Sequence, residues 1–219
     1  MPAEAATSRS RRPDGGDGLF IVGLVGRAGS GKSAVAEALV ADGARVIEAD
    51  RLGHLVTDSD PVVRAALTAE YGPGVYRANG ALDRAQVAAR VFSDPAARAR
   101  LDALTHPRIV ERIRQAIAGL RREGFAGVVV VDAALMLDWA LERECDAVLA
   151  VVAPEPLAVE RLMRDRGGSA THAQARLAAQ RTPEQYAAAA DRVLDNRGSL
   201  ESLEHAARAA IAELRAARP

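Results

Sequence analysis

Short apolar runs alternate with amphipathic stretches along most of the chain. Leu19–Val25 is almost entirely apolar and predicts a strand buried on both faces of a parallel sheet. Val128–Val131 and Ala147–Val152 have the same character, and Arg45–Ile47 and Arg192–Leu194 are shorter strand candidates. Helical patterns separate most of these runs, so we predict an α/β fold, a three-layer sandwich with a parallel sheet and helices on both faces.

Consecutive helical patterns between about residues 61 and 122 interrupt this alternation. Asp83 is a predicted N-cap, Ser93 another, and a further amphipathic stretch begins at Pro107. We therefore expect one domain at 18–219 that carries a helical insertion at about 55–122. A second helical segment at about 161–190, broken at Gly167–Gly168, is a candidate lid, and residues 1–17 predict a flexible tail.

The segment between the first strand and the first helix, Gly26–Ser33, has the sequence GRAGSGKS, which matches the phosphate-binding pattern G-x-x-x-x-G-K-[ST]. Its glycines allow backbone N–H groups to converge on phosphate oxygens, and Lys32, the only lysine of the chain, can reach the β- and γ-phosphates. The Ser33 hydroxyl can join the shell of a Mg²⁺ ion. The nucleotide-binding candidates are Arg27, Ala28, Gly29, Ser30, Gly31, Lys32 and Ser33. An N-K-x-D guanine signature is absent, which argues against a GTPase.

Carboxylates follow two of the predicted strands. Asp50 comes just after the second strand, where it can take a proton from a substrate hydroxyl or hold Mg²⁺ through water; it can also cap a helix that begins at Arg51. Asp132 ends the valine-rich strand and is either a magnesium ligand or a turn residue. Asp138 lies in an apolar segment, Leu135–Trp139, that either lines a substrate pocket or forms a short core helix.

Arginines are concentrated in the candidate lid. They are Arg161, Arg164, Arg166, Arg176 and Arg181. Lid arginines in small phosphotransferases reach the phosphates, exclude water and stabilise developing charge, and Arg161 is the first candidate because it lies soon after a strand. A solvated arginine face is the alternative. Asp195–Gly198, after the last strand, either borders an adenine ring or is a simple turn.

Composition restricts the partners of the protein. Its 29 basic and 29 acidic residues cancel, so bulk electrostatic capture of nucleic acid is not expected. No apolar run approaches the roughly 18 residues that a membrane span needs. A single cysteine, Cys145, excludes an internal disulfide. We expect a cytoplasmic monomer or small homo-oligomer that acts on a small molecule without membrane or nucleic-acid partners.

The sequence resembles the dephospho-coenzyme A kinase family over about residues 19–217. The motifs that carry the resemblance are GLVGRAGSGKS (Gly23–Ser33), Ala49-Asp50 followed by Leu52-Gly53-His54, GALDR (Gly80–Arg84), Val91-Phe92, LTHPRI (Leu104–Ile109), Arg161-Leu162-Met163 and Asp195-Asn196-Arg197-Gly198. The phosphate loop is shared by many families, whereas the motifs between residues 80 and 109 are much more specific.

The resemblance implies a kinase with a nucleotide core, a helical coenzyme A domain and a lid. It would transfer the γ-phosphoryl group of ATP, with Mg²⁺, to the ribose 3′-hydroxyl of dephospho-CoA. By this resemblance Asp50 is the general base, Arg161 a lid residue on the phosphates and Asn196 part of the adenine-side loop. His54, His106 and Asp138 are the candidates for contact with the acceptor substrate, and packing at a helix start is the alternative for His106.

The chain departs from the family pattern at three places. Glu48 replaces an aspartate, Arg27-Ala28 replaces Gly-Ile, and Asp132–Asp138 reads DAALMLD where D-x-P-L-L-F-E is usual. Two other functions therefore stay open at this stage. One is a P-loop kinase for another small acceptor, such as a nucleoside or sugar, and the other is a non-catalytic nucleotide-binding regulator.

Overall fold

The computed structural model describes residues 18–166 and 169–217. Its strands are β1 (Leu19–Val25), β2 (Arg45–Glu48), β3 (Gly127–Asp132), β4 (Ala147–Val152) and β5 (Arg192–Asp195). Its helices are α1 (Lys32–Ala41), α2 (Ala49–Ser59), α3 (Pro61–Tyr71), α4 (Arg84–Ser93), α5 (Pro95–Arg122), α6 (Glu155–Arg166), α7 (Ala170–Ala178), α8 (Pro183–Ala188) and α9 (Leu200–Ala216). The predicted tail at residues 1–17 and the predicted break at Gly167–Gly168 lie outside the described residues.

The chain divides into two units, one formed by residues up to Ile47 together with those from Leu120 onward, the other by Glu48–Gly119. The second unit thus begins at Glu48 rather than at about residue 55, because α2 starts directly after β2. Nowhere in 18–166 or 169–217 is a helix both long enough and apolar enough to cross a membrane.

The first unit is built on a sheet with the strand order β2-β3-β1-β4-β5. β1 pairs in parallel with β3 and β4, and β4 pairs in parallel with β5. All seven residues of β1 are buried, as the apolar run Leu19–Val25 predicts for a central strand of a parallel sheet. The predicted α/β architecture is confirmed, and β1 delivers the phosphate loop to the middle of the sheet's carboxyl edge.

Helices α1 and α9 cover one face of this sheet with a continuous apolar core. Side chains from the sheet, such as Val22, Leu24 and Leu149, pack with Leu39 of α1 and Ile211 of α9. Each such side chain contributes about 1.5–3 kcal/mol when fully buried. This core holds α1, and with it the end of the phosphate loop, firmly against the sheet.

The segment that follows β3 lies against β1. Residues 134–140 form successive turns, so the short core helix considered for Leu135–Trp139 is wrong. Met136 is fully buried, and its sulfur occupies the place of a Cβ at Gly23. Asp138, two residues later, is exposed. The apolar character of the segment therefore reflects burial of Met136 beside β1, while the carboxylate stays at the surface.

The helical unit contains α2, α3, α4 and most of α5. Asp83 caps α4 by accepting the Gln86 N–H, which confirms that prediction. The predicted cap at Ser93 is wrong, since the carboxylate of Asp94 accepts the N–H groups of Ala96 and Ala97 instead. An aspartate directly before Pro95 has the better position because proline occupies the first turn.

Pro107 does not begin a helix, as the amphipathic pattern suggested, but lies inside the 28-residue helix α5. A proline in a helix interior removes one backbone hydrogen bond. Side chains serve carbonyls in the preceding turns: Arg108 Nη1 donates to Leu104 O at 2.7 Å, and Thr105 Oγ1 donates to Leu101 O at 2.8 Å. One helix thus continues through Pro107 where the sequence suggested two.

Candidate functional site

The phosphate loop begins where β1 ends and closes at the first residue of α1. Gly26 has φ 146°, and the carbonyl oxygen of Val151 in β4 stands where a Cβ would be. A side chain at this position would collide with the neighbouring strand. Glycine therefore allows the chain to leave β1 close to β4 and turn back over the sheet edge.

Lys32 lies folded along the inside of the loop. Its Nζ donates to Gly26 O at 2.9 Å and to Arg27 O at 3.3 Å. Lys32 is also the first residue of α1, so its ammonium adds to the partial positive charge of the helix N-terminus. Positive charge and converging N–H groups together form the setting in which proteins bind phosphate.

Arg161 of α6 and Asn196, just after β5, both contact the carbonyl side of the loop. Arg161 Nη1 lies 3.4 Å from Gly29 O and 3.5 Å from Ser30 O. Asn196 Nδ2 donates to Ser30 O at 2.7 Å, and Arg161 Nη2 donates to Asn196 Oδ1 at 3.2 Å. Asn196 is only 4% exposed. The structure thus brings together two predicted site residues that are far apart in sequence.

The segment between α7 and α8 also reaches the loop. Gln180 Oε1 accepts the backbone N–H of Ala28 at 2.9 Å. Within the predicted lid, Leu162 of α6 packs with Leu177 of α7 in a small apolar cluster. The sequence did not predict a role for Gln180, because a single glutamine in a helical region belongs to no motif that indicates contact with a distant loop.

A cavity of about 550 Å³ opens beside Arg27, where β4 and β5 end. Its lining residues are Arg27, Val152–Glu155, Thr182–Glu184, Ala187, Asp195 and Arg197. Arg27 also pairs with Glu155 at 3.1 Å. The sequence pointed to this region through Arg27, the candidate lid and Asp195–Gly198. The residues after β4 were missed, although their place at the carboxyl end of a parallel strand was a usable signal.

Asp132 lies at the carboxyl end of β3, level with the end of β1. The register pairs it with Leu24, one residue before the end of β1 at Val25. Asp132 is half-buried, and Ser33, in the first turn of α1, is exposed. Both predicted magnesium residues therefore belong to elements that flank the phosphate loop.

Asp138 forms an ion pair with a lid arginine. Arg181 Nη2 donates to Asp138 Oδ1 at 2.6 Å. Tyr186 is buried nearby; burial raises the pKa of its hydroxyl, the charge of Asp138 raises it further, and Arg181 and Arg27 oppose the shift. Unlike Arg161 and Arg181, Arg164 and Arg176 are exposed, and Arg164 pairs with the exposed Asp165.

In the helical unit, Asp50 and His54 lie one turn apart on α2. Asp50 is in the first turn and exposed, and the position before the helix is taken by Glu48. The alternative that Asp50 caps a helix beginning at Arg51 is wrong, since α2 begins at Ala49. Residues four apart share a helix face, so the Asp50 carboxylate and the exposed His54 imidazole lie on the same face.

The GALDR motif builds the loop between α3 and α4. Asp58 accepts the Leu82 N–H at 2.9 Å and a bond from Arg84 Nη2 at 3.0 Å, and Arg84 also donates to Thr57 Oγ1. Burial opposes ionisation of Asp58, but the hydrogen bonds from Leu82 and Arg84 and the charge of Arg84 outweigh it and lower the pKa. Arg84 therefore ties the motif to α2.

His106 lies on α5 immediately before Pro107. Its Nε2 is 3.3 Å from Asp102 Oδ1, one turn earlier on the same helix, and the imidazole is partly exposed. The carboxylate restrains the ring from one side. His106, His54 and Asp50 all belong to the helical unit, whereas the phosphate loop, Arg161, Asn196, Asp132 and Asp138 belong to the sheet unit.

Comparisons with known proteins agree on one family. The sequence model of the family described as dephospho-CoA kinase matches residues 20–202. A curated dephospho-CoA kinase of Anaeromyxobacter dehalogenans is 40% identical over 200 residues, which cover 91% of this chain and 94% of that protein. Another from Deinococcus radiodurans is 41% identical and covers 97% of each chain. The crystal structure of TT1252 from Thermus thermophilus matches with a TM-score of 0.74 at 33% identity, over 90% of this chain and 98% of that one.

Proposed function

The chain belongs to the dephospho-CoA kinase family, and we propose that its phosphate loop, Asp50 and Arg161 carry out the family's reaction. The γ-phosphoryl group of ATP passes to the ribose 3′-hydroxyl of dephospho-CoA and gives coenzyme A and ADP. The phosphorus–oxygen bond to the β-phosphate breaks, a new bond forms to the 3′-oxygen, and the hydroxyl proton leaves. The observation that carries this proposal is the phosphate loop, closed by the only lysine of the chain at the N-terminus of α1.

ATP binds through the loop and the cavity beside it. The loop N–H groups and Lys32 hold the phosphates, and the nucleoside lies toward the cavity lined by Arg27, Pro154 and Arg197. Lys32 leaves the carbonyls of Gly26 and Arg27 for the β- and γ-phosphates, which are stronger partners for an ammonium because they carry full charge. The loop thus binds the phosphates of ATP, and the cavity binds its nucleoside.

Arg161 supplies positive charge on the lid side of the loop. Phosphoryl transfer proceeds through a transition state in which charge spreads over the transferred group, and catalysis consists mainly of positioning and charge stabilisation. The contacts of the guanidinium with Gly29 O, Ser30 O and Asn196 place it before the reaction begins. A charge held in advance stabilises the transition state without a cost of reorganisation at that moment.

Asp50 takes the proton of the 3′-hydroxyl. An exposed carboxylate in the first turn of α2 is accessible to a substrate. His54, on the same face, and His106 are the proposed acceptor contacts of the helical unit. Asp138 is the third proposed acceptor contact, and its ion pair with Arg181 offers it a second role.

Mg²⁺ fits the residues around the loop. Within 18–166 and 169–217, no group of three or more histidine, cysteine or acidic side chains is arranged to hold a metal ion. Magnesium in kinases is held differently, by one or two protein oxygens together with substrate phosphates and water. The Ser33 hydroxyl and the Asp132 carboxylate flank the loop and suit that arrangement. When bound, the ion neutralises phosphate charge.

One assay tests the reaction and both alternative functions. The purified protein is incubated with Mg·ATP and dephospho-CoA, and ADP and coenzyme A are quantified, the latter by mass. We expect equimolar amounts of both products, and much slower formation of both by Lys32→Ala. ADP formed only with a nucleoside or sugar acceptor would indicate a different kinase. ATP binding without transfer to any acceptor would indicate a regulator.

A further inference from the structure

Asn196 joins three parts of the sheet unit through hydrogen bonds of its backbone and its side chain. Its backbone N–H donates to Val152 O at the end of β4 at 2.8 Å. Its amide nitrogen donates to Ser30 O in the loop, and its amide oxygen accepts from Arg161 on α6. A side-chain amide that is 4% exposed must satisfy its donors and acceptor within the protein, and these contacts use both ends of it.

Gly31 adds a steric reason for this arrangement. It has φ 106° at the start of α1, and the Asn196 amide nitrogen occupies the place where a Cβ of residue 31 would be. The loop backbone and the amide are therefore packed against each other as well as hydrogen-bonded. Movement of either one requires movement of the other.

We infer that Asn196 is a positioning residue for phosphoryl transfer: its amide sets the orientation of the Arg161 guanidinium relative to the phosphate loop. Both groups meet at Ser30 O, to which Asn196 donates at 2.7 Å and near which Arg161 Nη1 lies at 3.5 Å. Asn196 thus holds the carbonyl side of the loop in place and fixes one edge of the guanidinium. This assignment differs from a direct contact with the adenine ring, because both ends of the buried amide already have partners within the protein.

The inference rests on the proposed function, because orientation of Arg161 matters only if phosphates bind at this loop. Its neighbours Asp195 and Arg197 are exposed and line the cavity, while Asn196 turns inward. The residues after β5 therefore have two different environments. Residues on either side face the cavity, and the asparagine between them serves the loop and the arginine.

A double-mutant cycle on Asn196 and Arg161 tests the inference. Asn196→Ala, Arg161→Ala and the double variant are compared with the parent for ATP affinity by calorimetry and for kcat and KM of coenzyme A formation. Since misplacement of a catalytic group can cost about 10²-fold, we expect Asn196→Ala to lower kcat by roughly 10- to 10²-fold. In the Arg161→Ala background the same change should cost less than about 3-fold, since its target is gone.

Two further variants separate positioning from folding. Asn79→Ala removes an exposed asparagine whose side chain also hydrogen-bonds a backbone N–H, and it should behave like the parent. Asn196→Gln keeps both the amide donor and the amide acceptor and should retain more activity than Asn196→Ala, which also covers the case in which the alanine variant fails to fold.

The outcomes distinguish this inference from the proposed function. Equal losses from Asn196→Ala in both backgrounds, in kcat and in ATP affinity, would overturn the positioning role, as would parental kinetics in Asn196→Ala. If the parent made no coenzyme A, the proposed function would fail instead. The cycle on ATP affinity would then still decide whether Asn196 acts through Arg161.

Discussion

Arg181, between α7 and α8, donates a 2.6 Å hydrogen bond to Asp138, in the turns after β3. The two residues join the predicted lid to the segment in which this chain departs most from its family pattern. Both are partly exposed, at 37% and 48% of their side chains, so the pair itself contributes about 0–1 kcal/mol to stability. A pair of this kind therefore contributes little to folding.

The pair predicts that Asp138 acts with Arg181 rather than on the acceptor substrate. Asp138→Asn and Arg181→Gln should each change kcat by a similar factor, and the double variant should be no worse than either single variant. Steady-state kinetics with dephospho-CoA and ATP varied separately provide the measurement. A rise in KM for dephospho-CoA in Asp138→Asn alone would instead assign this carboxylate to the substrate.

The contact between Gln180 and Ala28 predicts competition with ATP. Gln180 Oε1 accepts a loop N–H of the kind that phosphate oxygens use, so Gln180→Ala should tighten ATP binding by about 2- to 10-fold, the range expected for one hydrogen bond. Gln180→Glu keeps the acceptor and adds negative charge, and it should weaken ATP binding. Calorimetric titration measures both effects.

Gln174→Ala is the matched control, because Gln174 is an exposed glutamine on α7. It should leave ATP affinity at the parental value. Weaker ATP binding in Gln180→Ala would mean that the contact holds the loop in its binding conformation, contrary to competition.

Loss of the proposed base should affect chemistry and spare nucleotide binding. Asp50→Asn keeps the shape of the side chain but accepts no proton, so kcat should fall by at least about 10²-fold while ATP affinity stays near the parental value. Glu48→Gln is the matched control, since Glu48 is an exposed acid two residues earlier whose partner is Arg51. Near-normal turnover in Asp50→Asn would remove Asp50 from the role of base.

Substitutions of Lys32 distinguish the effect of its positive charge from the effect of the size and shape of its ammonium group. Lys32→Ala should lower kcat by about 10²- to 10³-fold, the cost typical of removing one preorganised donor to developing charge. Lys32→Arg keeps the charge but not the compact ammonium, and it should recover only part of the loss. A Lys32→Ala variant that turns over like the parent would contradict the assignment of the loop to the γ-phosphate.

Asp58 gives the helical unit an acid-sensitive contact. Its pKa is lowered in the folded protein, so the stability that it contributes is present above the unfolded pKa of about 3.9 and is lost as pH falls through the lower, folded value. Urea unfolding of the full chain should show Asp58→Asn to be less stable at pH 7. The difference from the parent should shrink below about pH 4.

Asp42→Asn serves as the control for this pH series. Asp42 is 47% exposed in its ion pair with Arg208, and exposed pairs contribute little. Its free energy of unfolding should follow that of the parent throughout. A constant difference between parent and Asp58→Asn at every pH would show that the carboxylate acts through packing and not through its charge.

Local features of the sequence determined the sheet and the phosphate loop. The apolar run Leu19–Val25 and the valines before Asp132 indicate buried strands, because the runs are short and β-branched residues favour strands. The glycines of the loop adopt positive φ angles, a local backbone conformation that residues with a side chain rarely adopt. These patterns also support the order of elements and the cap at Asp83.

Sequence patterns predicted the helix boundaries in the insertion less well. Pro107 has the local properties of a helix start, yet it lies inside α5, where side-chain donors from Thr105 and Arg108 serve carbonyls in the preceding turns. Helix propensity describes the free-energy cost of a proline inside a helix. Whether the helix nevertheless continues depends on how the whole helix packs against the rest of the protein.

Only the tertiary structure decided which side chains reach the loop. Gln180 meets Ala28 across 152 positions, and Asn196 meets Ser30 across 166. No periodicity links residues so far apart, because their approach depends on the strand order β2-β3-β1-β4-β5 and on the packing of α6 against α7. The sequence by itself thus determined the phosphate loop and the strand that presents it. The fold decided which amides and arginines surround the loop, since a hydrogen bond forms only where three-dimensional packing brings a donor and an acceptor within about 3 Å.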